Sequence, residues 1–308
     1  MELTQGNMAA LFQNLRGEFR AAVRDAPIPE DVAAFVTEIP SGTSEEYLPT
    51  AALLGDLEKF EDELSYTNLG QWMQEIANET FARGLEIPIT HVEDDRLAMY
   101  TLVAKALGKR AATYPYRQVP QAFINGISTA WVDGANVWSN SHQWVGGQAW
   151  DNLEDLALSP ASFETACQHL MERIGPDGQV LELSPTHLVV GPANLNRARR
   201  IVHRELVGGG DSNIHHNEVQ VVKWSQLIGT HAEEWGVFDL SDEVKPCAIT
   251  NRSGPDFFAQ DSETDDSVFN REVLRYKGRR RFGIAILAPW LGQWSDSSRA
   301  ASATTAAA

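Results

Sequence analysis

Cysteine is nearly absent. Cys167 and Cys247 are the only two, too few for a disulfide framework or a four-thiolate metal site, and they read as reduced core thiols. Long apolar runs are missing too. The longest candidate, Ile284–Leu291, is far shorter than the ~20 residues of a membrane-spanning helix and contains Pro289. The first residues include Glu2 and no basic region followed by an apolar block, so no secretory signal is expected. Basic residues are scarce: 25 Lys and Arg against 42 Asp and Glu give a net charge of −17. That balance excludes nucleic-acid binding over the whole surface, because phosphate would be repelled. It is compatible with an acidic wall along which enclosed DNA slides, and equally with an ordinary acidic soluble protein.

Catalytic signatures are lacking as well. There is no Gly-x-Ser-x-Gly elbow and no His-Glu-x-x-His helix. The run Gly208-Gly209-Gly210-Asp211 lacks the Lys-Ser/Thr of a phosphate loop and the spacing of a dinucleotide fingerprint. His215-His216-Asn217-Glu218 is the most enzyme-like cluster, but neighbours on an extended strand point to opposite faces, so the two imidazoles would not converge on a metal. A polar loop is the plainer reading. No cofactor is expected, and no internal repeat is seen.

What remains is an ordinary globular composition, 43% apolar and 22% charged over 308 residues, enough for one large domain or two modest ones with a real core. Met8, Leu11, Phe12, Leu15, Phe19 and Val23 recur at three- and four-residue steps, predicting an amphipathic helix over 7–24 capped by Asn7 and stopped by Pro27 and Pro29. Arg16, Arg20 and Arg24 form a stripe on another face. Val32–Ile39 and Leu85–Val92 read as strands, with a polar, acid-rich excursion from Asp56 to Phe81 turning at Asn68-Leu69-Gly70. A two-stranded excursion of that kind buries little of itself and wants a partner surface.

Asp94 and Asp95 open the strongest helical pattern, which is expected to kink or restart near Pro115 and to run on to about residue 127. Residues 131–150, rich in Gly, Asn, Ser, His and Trp, read as loop or irregular strand. Ser159-Pro160 opens a helix, Gly175-Pro176-Asp177-Gly178 is a turn, His187–Val190 is a short buried strand, and a helix follows through about Glu205. Strands are expected at Glu218–Trp224, Trp235–Leu240, Pro246–Thr250, Phe269–Tyr276 and Arg281–Trp290, with an acidic loop at Asp256–Asp266 and a tail from Ser295. The fold class is α+β.

In this order the stretches "MQEIANETFARGLEIPITHVEDDRLAMY", "YRQVPQAFINGI", "WVDGANVWSNSH" and "VLRYKGRRRFGIAILAPW" resemble the major head subunits of phage Mu and its prophage relatives, which carry the HK97-like capsid fold. The likeness runs over roughly residues 30–294. It implies an N-terminal arm helix (1–31), an extended β-hairpin loop with flanking strands (32–92), a peripheral domain with a long spine helix (93–145), an axial α+β domain (146–255), return strands of the peripheral domain (256–294) and a tail (295–308).

It also implies a major capsid protein of a tailed bacteriophage, not an enzyme, assembling as hexamers and pentamers around double-stranded DNA in the virion. A portal and a possible decoration protein would be partners. Because the likeness starts within about 30 residues of Met1, a separate scaffolding protein is expected. An encapsulin-like compartment shell is the alternative, and a soluble α+β enzyme using the His215/His216 loop a more distant one. The candidates for contacts between subunits are Phe12 and Arg16 of the arm, Glu61, Tyr66 and Trp72 of the extended loop, Gly209, Asp211 and His215 near the ring centre, and Arg279, Arg280 and Arg281. This last basic run could meet a neighbour's Asp56, Glu58, Glu61, Asp62 and Glu63.

Overall fold

The computed structural model describes residues 4–50, 72–94, 96–205, 212–213, 215–262 and 264–296. In chain order the elements are α1 (Gln5–Arg24), α2 (Glu30–Ala33), β1 (Val36–Pro40), β2 (Glu45–Pro49), β3 (Met73–Ala77), β4 (Glu79–Pro88), α3 (Ile89–Glu93) and α4 (Ala98–Asn125). There follow β5 (His142–Gln143), β6 (Ala149–Trp150), β7 (Leu153–Glu154), α5 (Pro160–Met171), β8 (His187–Val190), α6 (Leu195–Val202), β9 (Gln220–Lys223) and β10 (Trp235–Phe238). The last are β11 (Cys247–Gln260), α7 (Asp266–Arg271), β12 (Val273–Ile286) and β13 (Gly292–Ser295).

Two sheets organise the described residues. The first has the order β1-β11-β12-β4, and its two long strands β11 and β12 are antiparallel. The second has the order β7-β13-β10-β8-β9. The chain crosses between them three times, from β4 to β7, from β10 to β11 and from β12 to β13. The strands between Cys247 and Ile286 therefore lie in the first sheet, and residues 292–295 in the second. β2 and β3 form a separate antiparallel ladder, Glu45 opposite Ala77 and Pro49 opposite Met73, outside both sheets. The expected turn at residues 68–70 lies outside the described residues.

Several boundaries differ from the sequence pattern, each for a local reason. Thr4, not Asn7, caps α1: its hydroxyl accepts from the Asn7 amide. Residues 30–33 are helical, so the strand begins only at Val36. Pro88 ends β4 and begins a short helix, because it has no amide to offer a ladder. Asp94 closes that helix, and α4 starts at Ala98 without a side-chain cap. α6 ends at Val202. The first residues of the expected acidic loop belong to β11, and Asp266–Arg271 is helical. The two expected C-terminal strands are one, β12. Its basic run does not interrupt it, because alternation turns Leu274, Tyr276 and Gly278 inward between more exposed neighbours.

α4 is not broken at Pro115 or Pro120. A proline cannot donate to the carbonyl four residues back, and for Pro115 that carbonyl belongs to Ala111. The Arg280 guanidinium supplies a donor there: its Nη1 lies 3.2 Å from the Ala111 carbonyl and 2.8 Å from that of Ala112. Its Nη2 donates to the Asn251 side chain (2.7 Å), which in turn donates to Glu38 (2.9 Å), the acceptor of the Tyr116 hydroxyl. A strand of the first sheet thus holds the proline-bearing part of the helix in place.

The Gly- and Trp-rich stretch read as loop is in fact at the centre of the largest core. Trp131, Trp138, Trp144, Trp150, Trp224, Trp290 and Trp294 join one buried cluster with Phe35, Phe123 and Phe238, and Trp72 packs against it. Such ring pairs add about 0.5–1.5 kcal/mol each beyond buried area. The buried Arg173 guanidinium closes this core, donating to the carbonyls of Asp151, Trp290 and Gly292 and lying over the Trp150 ring.

Candidate interaction surface

The described sequence-predicted contact residues do not form one site. Phe12 stacks on Phe257 and Tyr276, with ring centroids 6.1 and 6.3 Å apart, and Arg16 reaches Asp256 of β11 at 3.3 Å. The apolar face of α1 is therefore spent on its own chain, with Leu15 and Phe19 fully buried. Trp72 packs edge-on against Trp131 at 5.5 Å. Arg280 is committed to α4, and Arg281 reaches the Asn78 carbonyl at 3.4 Å. Each of these five also has a partner within its own chain. Glu61, Tyr66, Gly209 and Asp211 lie outside the described residues.

His215 sits in a turn, not a strand. Its Nδ1 is 2.8 Å from Glu218, and its ring is edge-on to Phe163 at 5.2 Å. Among the described residues no group of three or more His, Cys, Asp or Glu is placed to hold a metal. Burial pushes the Cys167 thiol up to about 12 and raises that of Cys247 as well, so neither is a ready thiolate. Burial also raises Glu234 above the usual carboxylate range, although His231 at 2.6 Å opposes the shift. No helix among the described residues is long and apolar enough to cross a membrane.

Of the basic run, Arg279 and Arg280 line one surface groove, and Arg275 and Lys277 line another. The first groove, of about 600 Å3, lies between α4 and the β4 edge of the first sheet, and Arg83, Arg110, Arg117 and Arg279 converge on it, with Phe81 and Tyr114 in its wall. Among the described residues no carboxylate lines it. None of these four arginines makes an ion pair with a described carboxylate, and the Nε of Arg279 is buried without a hydrogen-bond partner among the described residues. Sequence reading missed Arg83, Arg110 and Arg117. The seven-residue step from Arg110 to Arg117 was the available signal, since it puts both on one helix face.

α4 carries a second feature on that face. Met99, Val103, Ala106, Arg110, Thr113 and Arg117 follow one another at alternating steps of four and three, the spacing of a coiled-coil seam. Leu102 flanks the seam. Met99 is 59% exposed, Leu102 66% and Val103 41%. The opposite side of the helix is covered by α1: a Cβ on Gly108 would collide with the Phe19 carbonyl, and Lys105 pairs with Glu18 at 3.1 Å.

A family model described as Mu-like prophage major head subunit gpT matches residues 8–154 and 149–227. The major capsid protein of Escherichia phage Mu is 24% identical over 142 residues, a stretch that spans 46% of this chain and 46% of that relative, so the match covers about half of its length. Among solved structures, the procapsid of bacteriophage JBD30 superimposes with a TM-score of 0.56 at 19% identity, covering 95% of this chain and 76% of that one. A virus-like particle from Pyrococcus furiosus superimposes with a TM-score of 0.50 at 13% identity, covering 92% and 98%. The fold is that of these shells.

Proposed function

The chain belongs to the family of Mu-like prophage major head subunits, and from that premise we propose that it is the major capsid protein of a tailed bacteriophage, a structural protein and not an enzyme. Hexamers and pentamers of it tile an icosahedral shell around double-stranded DNA in the virion. The observation that carries this reading is the family match from residue 8 to residue 227, joined to a fold shared with the JBD30 procapsid over 95% of the chain.

The architecture supports it. The β2–β3 ladder stands outside both sheets and leads into residues 51–71, as suits a hairpin lying across an adjacent subunit. Head-to-tail association of identical subunits closes into rings, and many weak contacts per subunit accumulate by multivalency. The net charge of −17 suits a wall that does not capture packed DNA. A separate scaffolding protein and a portal take part in assembly in the host cytoplasm, and a decoration protein binds outside, as minor capsid protein trimers do on the JBD30 capsid. The fold is shared with the virus-like particle from Pyrococcus furiosus, and a compartment shell that encloses protein cargo is the second reading.

Negative-stain electron microscopy tests the proposal, on the chain expressed alone and with its candidate scaffold. Closed shells, rings or open tubes are expected. A stable monomer at high concentration under both conditions overturns it, and shells isolated with protein cargo instead of DNA favour the second reading.

A further inference from the structure

We propose that the exposed seam of α4, with the arginine groove beside it, is the docking site for one amphipathic, acidic helix of a separate assembly partner. The inference rests on the capsid reading only for the partner's role; the chemistry of the site stands on the chain itself. Scattered exposed apolar side chains are ordinary. Here they are not scattered. Met99, Val103 and Ala106 occupy consecutive seam positions, with Leu102 alongside, and the same seam continues through Arg110, Thr113 and Arg117. From Met99 to Arg117 the seam is about 27 Å long. It is apolar over its first half and cationic over its second, where Arg83 and Arg279 add to the charge from the sheet side. A helix with apolar residues along one half of its contact face and Glu or Asp along the other is complementary to both halves.

Other occupants fit less well. A second copy of α4 would bring the same arginines and no carboxylate on its own seam: parallel pairing sets Arg110 and Arg117 against their like, and antiparallel pairing buries them against Met99 and Val103. α1, the chain's own amphipathic helix, already has Leu15 and Phe19 buried at home. Nucleic acid would satisfy the arginines and leave the Met99–Ala106 half without a reason to be apolar. The acidic residues 56–63 of a second copy could meet the arginines, but only that half of the seam.

The test uses the full chain and fluorescein-labelled synthetic 21-residue helical peptides. Two carry leucine at seam positions in one half and glutamate in the other, in the two possible orders, and a third has the same composition scrambled. Anisotropy is expected to show one of the first two binding at least tenfold more tightly than the scrambled peptide. The double variants L102D/V103D and R110E/R117E should each remove at least tenfold of that binding, with unchanged circular dichroism because all four positions are exposed. Equal binding of all three peptides, or binding unaffected by L102D/V103D, overturns the inference. So does tighter binding of a peptide spanning residues 53–70, or of a DNA duplex, that depends on Arg110 and Arg117 alone. The capsid reading fails separately, on the microscopy: shells that assemble while no peptide binds the seam sink this inference and leave that reading intact.

Discussion

The two halves of α4 have opposite surroundings. Its C-terminal half carries Tyr116, Val119, Phe123 and Ile124, all buried in the tryptophan-rich core. Its N-terminal half is covered on one side by α1 and leaves Met99, Leu102 and Val103 in solvent on the other. One helix therefore serves as a core element at one end and as a surface at the other. The division falls near Pro115, where the chain needs Arg280 to complete the helix. Burial accounts for apolar residues in the first region. In the second, burial within the chain accounts for half the face, and the remainder is the part that calls for a partner.

The comparison can be broken most forcefully from the buried end. Phe123 is fully buried and meets Phe35, Trp224 and Phe238 at 5.0–6.0 Å. Phe123→Ala should destabilise the fold by about 3–5 kcal/mol in denaturant titration. A cost as small as that of a surface change would mean that this half is not core. Arg280→Met should cost less, about 1–3 kcal/mol, since it removes hydrogen bonds from a charged donor while keeping much of the stem. Its more telling signature is local: amide exchange should speed up over residues 111–120 and stay unchanged over 98–106. Uniform protection in the variant would show that the helix carries its prolines without help.

The smallest expected effect lies at the core's margin. Burial holds His187 below the ordinary imidazole range, with Lys245 adding to the shift against an opposing hydrogen bond to Gln220 and the Asp239 charge, and its ring is edge-on to Phe35 at 5.8 Å. The unfolded chain therefore takes up a proton at higher pH than the folded one. Stability from this group is complete above the unfolded value of about 6.5 and falls as pH drops from there toward the lowered folded value. His187→Gln should flatten that part of a stability–pH curve measured between pH 7.5 and 5. A curve of unchanged slope would assign the dependence to other groups.

Much of the local structure was legible. The three-four rhythm of α1, the helix opened by Ser159-Pro160, and the His187–Val190 strand all sit where side-chain spacing and helix-start signals place them, because each is decided by neighbours in sequence. The α+β class and the order of elements followed from those pieces, and the motif order pointed to the family. The interaction surface was only half legible. Arg279 could be picked out of a basic run, but Arg83, Arg110 and Arg117 come from a strand and a helix that no local pattern brings together.

The sequence by itself determined where the four long helices lie, which apolar faces they carry, and a charge that excludes general nucleic-acid binding. Tertiary structure alone decided which of those faces stay open. It placed a tryptophan-rich apparent loop at the centre of the core, continued β12 through five basic residues and their neighbours, and tied Arg280 to the α4 carbonyls beside the groove that Arg279 shares. The reason is physical: period and capping act over a few residues, whereas burial and the choice of partner for a guanidinium depend on segments more than a hundred residues apart in the chain.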